Sequence, residues 1–367
     1  MSWPIVALGE VAEIVSGATP KTSTAEYWDG EIAWATPKDL SGLNGKYLIE
    51  TPRNLTEAGL KSCAAKLLPE RSVLFSSRAP IGHVAINTKP MATNQGFKSM
   101  IPGPKLSADF LYWWLRANRS AIERLGSGAT FKEVSKAVVS RIEIPLPPLD
   151  EQKRIAAILD KADALRRAQR KAADLLNRLA VSRFRALFGD PSSNAQRYPL
   201  RAFGEVFRDE TSKSPKVQRG DYKASGRFPV VDQGKSLVAG WVDDERLLNG
   251  SALPVVIFGD HTKAVKFVDF EFCTGADGAK VLAVQEGWDA RHAATLLSLM
   301  PIPDLGYSRH MREVKRLQFP QPPLQDQQHF GAWYSGVSER IAVFERRESR
   351  LNALFDSIQN RAFAGKL

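Results

Sequence analysis

The chain has 367 residues, is 43% hydrophobic and 9% aromatic, and carries a formal net charge of +11. That apolar content excludes a disordered chain and suffices for two ordinary domains, while the positive balance points to an acidic partner, nucleic acid first. No run of about 18 apolar residues occurs, so no membrane span is expected. Met1-Ser2-Trp3-Pro4 has neither a basic region nor an apolar core, so no signal peptide is expected. Only Cys63 and Cys273 are present, in no metal-binding spacing. They imply a reducing, cytoplasmic setting, no metal site, and two small buried hydrophobes.

In chain order, the first half opens with Trp3-Pro4-Ile5 and Leu8-Gly9-Glu10-Val11. Ser16-Gly17-Ala18-Thr19-Pro20-Lys21 is a turn-rich loop, residues 27–34 form a turn into a short strand, and Thr36-Pro37-Lys38-Asp39 is another loop. Val73-Leu74-Phe75 and His83-Val84-Ala85-Ile86 read as strands flanking Ser76-Ser77-Arg78-Ala79-Pro80. Ser107 caps a helix predicted over 108–125, with Phe110, Leu111, Trp114, Leu115 and Ile122 on one face. A flexible loop, Gly126-Ser127-Gly128-Ala129-Thr130, and a last strand over 142–144 follow.

Next comes Ile144-Pro145-Leu146-Pro147-Pro148-Leu149-Asp150-Glu151-Gln152, a proline-stiffened exit into a long helix that Asp150 caps and Gly189 and Pro191 stop. Ten basic against five acidic residues over 151–190 make this the most positive stretch. The second half repeats the plan. It opens with Tyr198-Pro199-Leu200 and Phe203-Gly204-Glu205-Val206, and residues 254–258 form a strand into Gly259-Asp260-His261-Thr262-Lys263. A short helix over 291–300 and the loop Tyr307-Ser308-Arg309-His310-Met311-Arg312 lead to Phe319-Pro320-Gln321-Pro322-Pro323-Leu324-Gln325-Asp326-Gln327 and a second long helix. Each half is thus a mixed α/β globule followed by a long helix, an internal duplication.

The long helices carry heptad-like stripes: Ile155, Ile158, Ala162, Leu165, Leu176 and Leu179 in the first, Val337, Ile341, Phe344, Leu351, Phe355 and Ile358 in the second. About 38 residues span roughly 57 Å. If the pair runs antiparallel, a globule is expected at each end, related by a pseudo-twofold.

Motifs of catalysis are missing. No Asp/Asn-Pro-Pro-Tyr/Phe motif for methyl transfer to an amino group occurs, and Gly189-Asp190-Pro191-Ser192 reads as a helix stop. Gly234-Lys235-Ser236 has Pro229 where a P-loop needs its first glycine. Asp260-His261-Thr262-Lys263 is too short a match to carry a nuclease, and His261, His310 and His329 stand in unrelated contexts.

These landmarks resemble the specificity subunit of type I DNA restriction-modification systems. The resemblance rests on Gly17-Ala18-Thr19-Pro20, on Tyr27-Trp28-x-Gly30-x-Ile32-x-Trp34, on Thr36-Pro37-Lys38-Asp39, and on the twice-written Pro-x-Pro-Pro-Leu-x-x-Gln. Phe258-Gly259-Asp260-His261-Thr262 and Tyr307-Ser308-Arg309-His310 add to it. The second half lacks the Thr-Pro and Tyr-Trp elements. The resemblance implies an α+β fold with two mixed α/β target recognition domains separated by a pair of long antiparallel coiled-coil helices. The domains are expected at 1–148 and 191–323, and the spacer helices at 149–190 and 324–367. It implies a non-catalytic subunit that reads a bipartite site on double-stranded DNA. Two methyltransferase subunits, which hold S-adenosylmethionine, and a restriction-translocase subunit are its implied partners. The competing reading is a stand-alone sequence-specific DNA-binding regulator; a coiled-coil adaptor is a third.

Specific readout uses Arg or Lys on guanine and Asn or Gln on adenine, while other basic and hydroxyl groups grip phosphate. The loop candidates are Lys21, Thr22, Lys38, Ser77, Arg78, Asn94, Gln95, Lys98 and Lys132 in the first half. In the second they are Lys213, Lys216, Lys235, His261, Lys263, Tyr307, Arg309, His310 and Arg312. Trp28, Trp34, Trp113 and Trp114 are expected in the core.

Overall fold

The computed structural model describes residues 3–78, 80–128, 132–194, 196–213, 215–306 and 308–367. The chain divides into two compact units. One comprises Met1–Ala168 with Glu348–Leu367, the other Gln169–Arg347. The two long helices, Leu149–Phe188 and Leu324–Phe363, each give one part to each unit. None of the helices is long and apolar enough to cross a membrane among the described residues.

The first unit holds a five-stranded sheet in the order Ala12–Ser16, Lys98–Pro102, Val73–Phe75, Val84–Asn87, Tyr47–Leu48, and a three-stranded sheet of Asn54–Leu55, Trp28–Ala35 and Met91–Thr93. The helix Ala108–Ala117 packs on the larger sheet. Phe110, Leu111, Tyr112, Trp113, Trp114 and Leu115 are all buried, so the middle of this helix is buried all round rather than on one face. Its other sides meet the long helices: Ile155, Leu159, Phe355 and Ala362 belong to the same core. The helix expected to run to 125 breaks at Asn118, whose Nδ2 donates to the Trp114 carbonyl, and restarts as Arg119–Arg124.

The second unit builds the same plan from two four-stranded sheets. One runs Phe207–Asp209, Ala279–Val284, Val255–Gly259, Val265–Val268; the other runs Lys216–Val217, Cys273–Gly275, Phe228–Val231, Gly240–Val242. Its principal helix is Ala290–Leu299, capped by Asp289, whose carboxylate accepts from the His292 amide at 2.8 Å. Gly331 of the second long helix leaves space for this cap: a Cβ there would lie 2.4 Å from Asp289 Oδ1.

The duplicated proline stretch closes each unit by the same bonds. Ile5–Ala7 pairs antiparallel with Glu143–Pro145, and Leu200–Ala202 pairs likewise with Gln318–Pro320. The Leu146 amide donates to Pro4 O at 2.8 Å, as the Gln321 amide does to Pro199 O at 2.9 Å. The motif's last residue, Gln152 or Gln327, is 0% exposed in both units. Gln152 Oε1 accepts from the Ser107 amide, at the cap of the principal helix, while its Nε2 donates to Lys105 O and Pro147 O. Gln327 Oε1 accepts from the Asp289 amide, again the cap residue, and its Nε2 donates to Pro322 O. A carboxamide at the end of a two-carbon stem offers one acceptor oxygen and two donor N–H groups at this reach, which suits glutamine to both positions.

A second tie in the first unit is ionic. Lys46 lies 2.6 Å from Asp109 and 2.7 Å from Asp160, Arg71 joins Asp109, and the Trp113 indole donates to Asp160 at 2.9 Å. Burial works against the Lys46 charge, but the two carboxylates outweigh it and hold its pKa above the ordinary value.

The helix seam corrects the expected stripe. Ile155 is buried, Ile158, Ala162 and Leu176 are half-buried, and all six residues named on the second helix are buried or half-buried. Leu165 and Leu179, however, are 60% and 50% exposed. The seam instead passes through Asp163 and Arg166 and through Ala173 and Ala180. Asp163 bonds Arg166 at 2.7 Å, and the Arg166 guanidinium lies 3.7 Å above the Phe355 ring. Counting bulky residues follows leucines, whereas close helix contact selects alanines and one internally paired ion pair. Asp150 falls inside the first turn rather than at the cap, while Gly189 ends the helix with φ +78, as expected. Cys273 is buried, and burial pushes its thiol up to about 11; Cys63 is only half-buried, its Sγ against the Gly59 carbonyl.

Replacing Gln152 with Ala leaves the Ser107 amide and two carbonyls without partners, so the first unit should lose about 2–4 kcal/mol, read as a lower denaturant midpoint. Gln327→Ala should weaken the second unit in the same direction.

His292 gives a pH prediction. It is 0% exposed among Phe184, Phe188, Trp288 and Phe330, neither ring nitrogen has a hydrogen-bond partner among the described residues, and burial pushes its pKa down to about 3. The unfolded chain binds this proton more readily. Stability of the second unit should therefore fall by up to about 1.4 kcal/mol per pH unit as pH drops from about 6.5 toward 3. His292→Phe should flatten that part of the unfolding-versus-pH curve; an unchanged slope would contradict the assignment.

Candidate nucleic-acid interface

In the first unit, three loops separated in sequence meet. The Ala18 amide donates to Thr93 O, the Asn94 amide to Ala35 O, and Thr19 Oγ1 bonds the Gln95 side chain. Gly17 is required at this crossing, because a Cβ would lie 2.0 Å from Asn94 O. Trp28 and Trp34 are buried as expected and make an edge-to-face pair at 5.0 Å. They also pin the loop, since Trp34 Nε1 donates to Ala18 O at 3.1 Å and Trp28 Nε1 to Lys21 O at 3.4 Å. The Arg53 guanidinium covers the Trp28 ring at 3.6 Å. Trp113 and Trp114 are also buried.

Thr36-Pro37-Lys38-Asp39, expected as a loop, starts the short helix Pro37–Ser41. Thr36 and Asp39 form its capping box, which leaves Lys38 exposed. Lys21, Thr22, Lys38, Gln95 and Lys132 are all exposed. Asn94 spends its Oδ1 on the Gly96 amide. Ser77, expected to meet DNA, is instead 0% exposed with its hydroxyl donated to Gly96 O. Lys98 is buried against Glu133 at 2.9 Å, and Arg78 is half-buried 3.8 Å from the same carboxylate. Both are therefore partly neutralised.

In the second unit, Gln233 is the organiser. Its Oε1 accepts from the His261 amide and its backbone carbonyl from Thr262 Oγ1. His261 is half-buried and Lys235 exposed. Lys263, with φ +58, lies 3.6 Å from Asp304. His310, another expected contact, is 0% exposed. Its backbone amide and its Nδ1 both meet Asp260 O at 2.8 Å, and its Nε2 accepts from the Leu305 amide. Its role is to fold the 304–311 loop onto the 259–263 loop, a tie completed by the Met311 amide on Asp260 Oδ1 at 2.7 Å. Arg309 remains exposed on that loop, and Arg312 is exposed in the short helix Met311–Val314 that follows it, where a loop was expected. Lys213 and Lys216 are exposed elsewhere in the unit, the former bonded to Glu210 at 2.7 Å. Tyr307 lies outside the described residues, as do Ala79, Ala129 and Thr130.

Sequence reasoning missed Gln233, Thr19 and Lys280, which lies 3.8 Å from Asp260. Gln233 follows Asp232 in a polar run that could have flagged a loop, and Thr19 stands in the turn-rich loop already named; nothing local marks Lys280. Among the described residues, no group of three or more His, Cys, Asp and Glu side chains could hold a metal ion. The arrangement offers exposed amide, hydroxyl and cationic groups on loops fixed by backbone bonds, which suits reading a polar, anionic surface.

Residues 2–174 match the family described as the type I restriction modification DNA specificity domain. The chain is 31% identical over 269 residues to the type I restriction enzyme MjaIX specificity subunit of Methanocaldococcus jannaschii, covering 68% of this chain and 62% of that one. It is 29% identical over 166 residues to a type I restriction enzyme specificity subunit of Escherichia coli, covering 43% and 40%. The matches thus span less than two thirds of these relatives. In fold, the chain is similar to the crystal structure of a type I restriction-modification S subunit from M. genitalium, with TM-score 0.63, 15% identity, and 99% and 96% of the two chains covered. A structure from a study of type I complex assembly and conformational transition aligns with TM-score 0.52 at 18% identity, covering 100% and 98%.

If the loop crossing is as tight as Gly17 implies, Gly17→Ala should destabilise the first unit by about 1–3 kcal/mol and shift the Trp34 indole N–H resonance. Gly42→Ala, with open space around it, should do neither.

Proposed function

We propose that this chain, which belongs to the type I restriction-modification DNA specificity family, is the non-catalytic DNA-recognition subunit of such a complex. Each unit reads one part of a bipartite duplex target. Methyltransferase subunits, which bind S-adenosylmethionine and take the target base out of the stack, dock on the long helices, and a restriction-translocase subunit completes the assembly. The recognition domains correspond to residues 1–148 and 191–323 and the helical spacers to 149–190 and 324–367.

The observation that carries the reading is the pairing of one repeated clamp with two unlike loop clusters. Gln152 and Gln327 hold the cap of each unit's principal helix in the same way, yet the loop groups differ: Thr22 and Gln95 stand in the first unit, and His261, Arg309 and Arg312 in the second. A scaffold kept while its loops diverge suits two readers of two different half-sites. The contact set consists of Lys21, Thr22, Lys38, Arg78, Gln95 and Lys132 in the first unit, and Lys213, Lys216, Lys235, His261, Lys263, Arg309 and Arg312 in the second. Asn94 and Lys98 support it, and Ser77 and His310 are left out because they are buried.

Arg309→Ala should cost about 1–3 kcal/mol of specific binding and relax one position of one half-site, read by methylation mapping of the reconstituted complex. An unchanged ratio of specific to non-specific affinity would remove Arg309 from the readers. The chain should also co-purify with a methyltransferase subunit and show no methyl transfer alone.

A further inference from the structure

A polar recess of about 250 Å³ in the first unit is lined by none of the groups assigned above, although Leu40 and Ser41 of the Lys38 helix border it. His83, Tyr112, Arg116 and Arg119 line it together with Gly45 and Gly82, and among the described residues no carboxylate does. Arg116 Nη1 donates to the Tyr112 hydroxyl oxygen at 2.8 Å, and its guanidinium stands 5.5 Å from the Tyr112 ring and 5.4 Å from the Trp113 ring. That bond uses one of five guanidinium donors. Tyr112 is 1% exposed, and its oxygen is already an acceptor. Its own proton meets no acceptor among the described residues, although the group faces a cavity. The Arg119 stem crosses Gly82, where φ is +91 and a Cβ would lie 2.5 Å from Arg119 Cγ. Burial and the Arg119 charge hold the His83 pKa below its ordinary value.

Two guanidinium groups, an unspent buried hydroxyl donor and an imidazole thus converge on a cavity with no compensating anion. The nearby Asp163 is already paired with Arg166 and Arg167. Planar guanidinium donors match the oxygens of a phosphate better than any neutral ligand. The recess also sits at the root of the loop over 76–83. The Ser76 amide donates to His83 O and the Gly82 amide to Ser76 O, so His83 ends the loop that carries Arg78.

We propose that this recess is a phosphate site that grips a backbone phosphodiester of duplex DNA and so sets the register of the first unit's reading loops. It rests on the DNA-recognition reading above. A phosphate held at the loop root fixes where Arg78 stands over the bases without itself carrying sequence information.

The test uses the full-length chain with Arg116→Gln/Arg119→Gln together, Arg119→Lys, and Lys61→Gln as a control that removes one exposed charge elsewhere in the unit. Two quantities are measured: the dependence of duplex affinity on salt, and the affinity for pyrophosphate by 31P NMR. The double variant should lower the salt slope by about 0.9 per lost phosphate contact. It should also weaken pyrophosphate binding by about tenfold or more. Arg119→Lys should retain the slope in part, and Lys61→Gln should change neither quantity. Loss of pyrophosphate binding with an intact salt slope would overturn duplex DNA as the source of the phosphate. Wild-type values for both in the double variant would overturn the site itself. If the wild-type chain bound no duplex yet lost pyrophosphate affinity in the double variant, the DNA-recognition reading would fail while the phosphate site stood.

Discussion

The fold depends on a buried carboxamide at the start of each long helix. A proline-rich exit strand cannot satisfy its surroundings with its own amides, because proline has none. The chain therefore meets its hydrogen-bonding needs from both flanks. The carbonyl of Pro4 or Pro199 accepts from the residue inside the proline run, and Gln152 or Gln327 reaches back five residues to a proline carbonyl. The same glutamine holds the cap amide of the unit's principal helix. Leucine would fill the space but strand the polar groups, and glutamate could not donate. One side chain thus fixes the exit strand, the long helix and the globule's main helix together.

Away from that clamp the two units satisfy burial differently. Counting from the cap, the second helical residue is Asp109 in one and Arg291 in the other. Asp109 bonds Lys46 and Arg71, whereas Arg291 bonds Asp269 at 3.2 Å and covers the Phe267 ring at 3.9 Å. The sign of the lock is reversed and its place is kept. The third residue is Phe110 in one and His292 in the other, both without exposure. A neutral imidazole stacked at 5.2 Å on Phe184 fills a phenyl's place, but with two nitrogens unpartnered. Packing constrains size and shape here, and the polar cost is carried by the rest of the core.

What the sequence made legible follows from where information is local. The proline run, its glutamine and the helix stop at Gly189 were readable because each acts within a few residues of itself. The mixed α/β units and paired long helices were readable for the same reason. The seam was not, since Leu165 and Leu179 satisfy a heptad count while the contact selects Ala173, Ala180 and the Asp163–Arg166 pair. The loop crossing was hidden too: Thr19 meets Gln95 across 76 positions, and no local pattern predicts that. Ser77 and His310 sit in loops rich in polar residues, yet their backbone partners draw them inward. Loop membership predicts exposure poorly where a loop must also be anchored.

That anchoring separates the basic groups by what they can give to a partner. Lys98, Arg78, Lys213 and Lys263 each already face a carboxylate, so a phosphate would have to compete with Glu133, Glu210 or Asp304. Lys21, Lys38, Lys132, Lys235, Arg309 and Arg312 face none among the described residues, so each would release counterions at full charge on the proposed duplex. On the proposed reading, non-specific grip would fall to the second group. The first, held in fixed geometry by its carboxylates, is better suited to orientation than to attraction, because a tethered cation loses less freedom on contact. The same reasoning sets the recess of Arg116 and Arg119 apart: its cations are fixed by Tyr112 and Gly82 rather than by an acid, so they are both oriented and uncompensated.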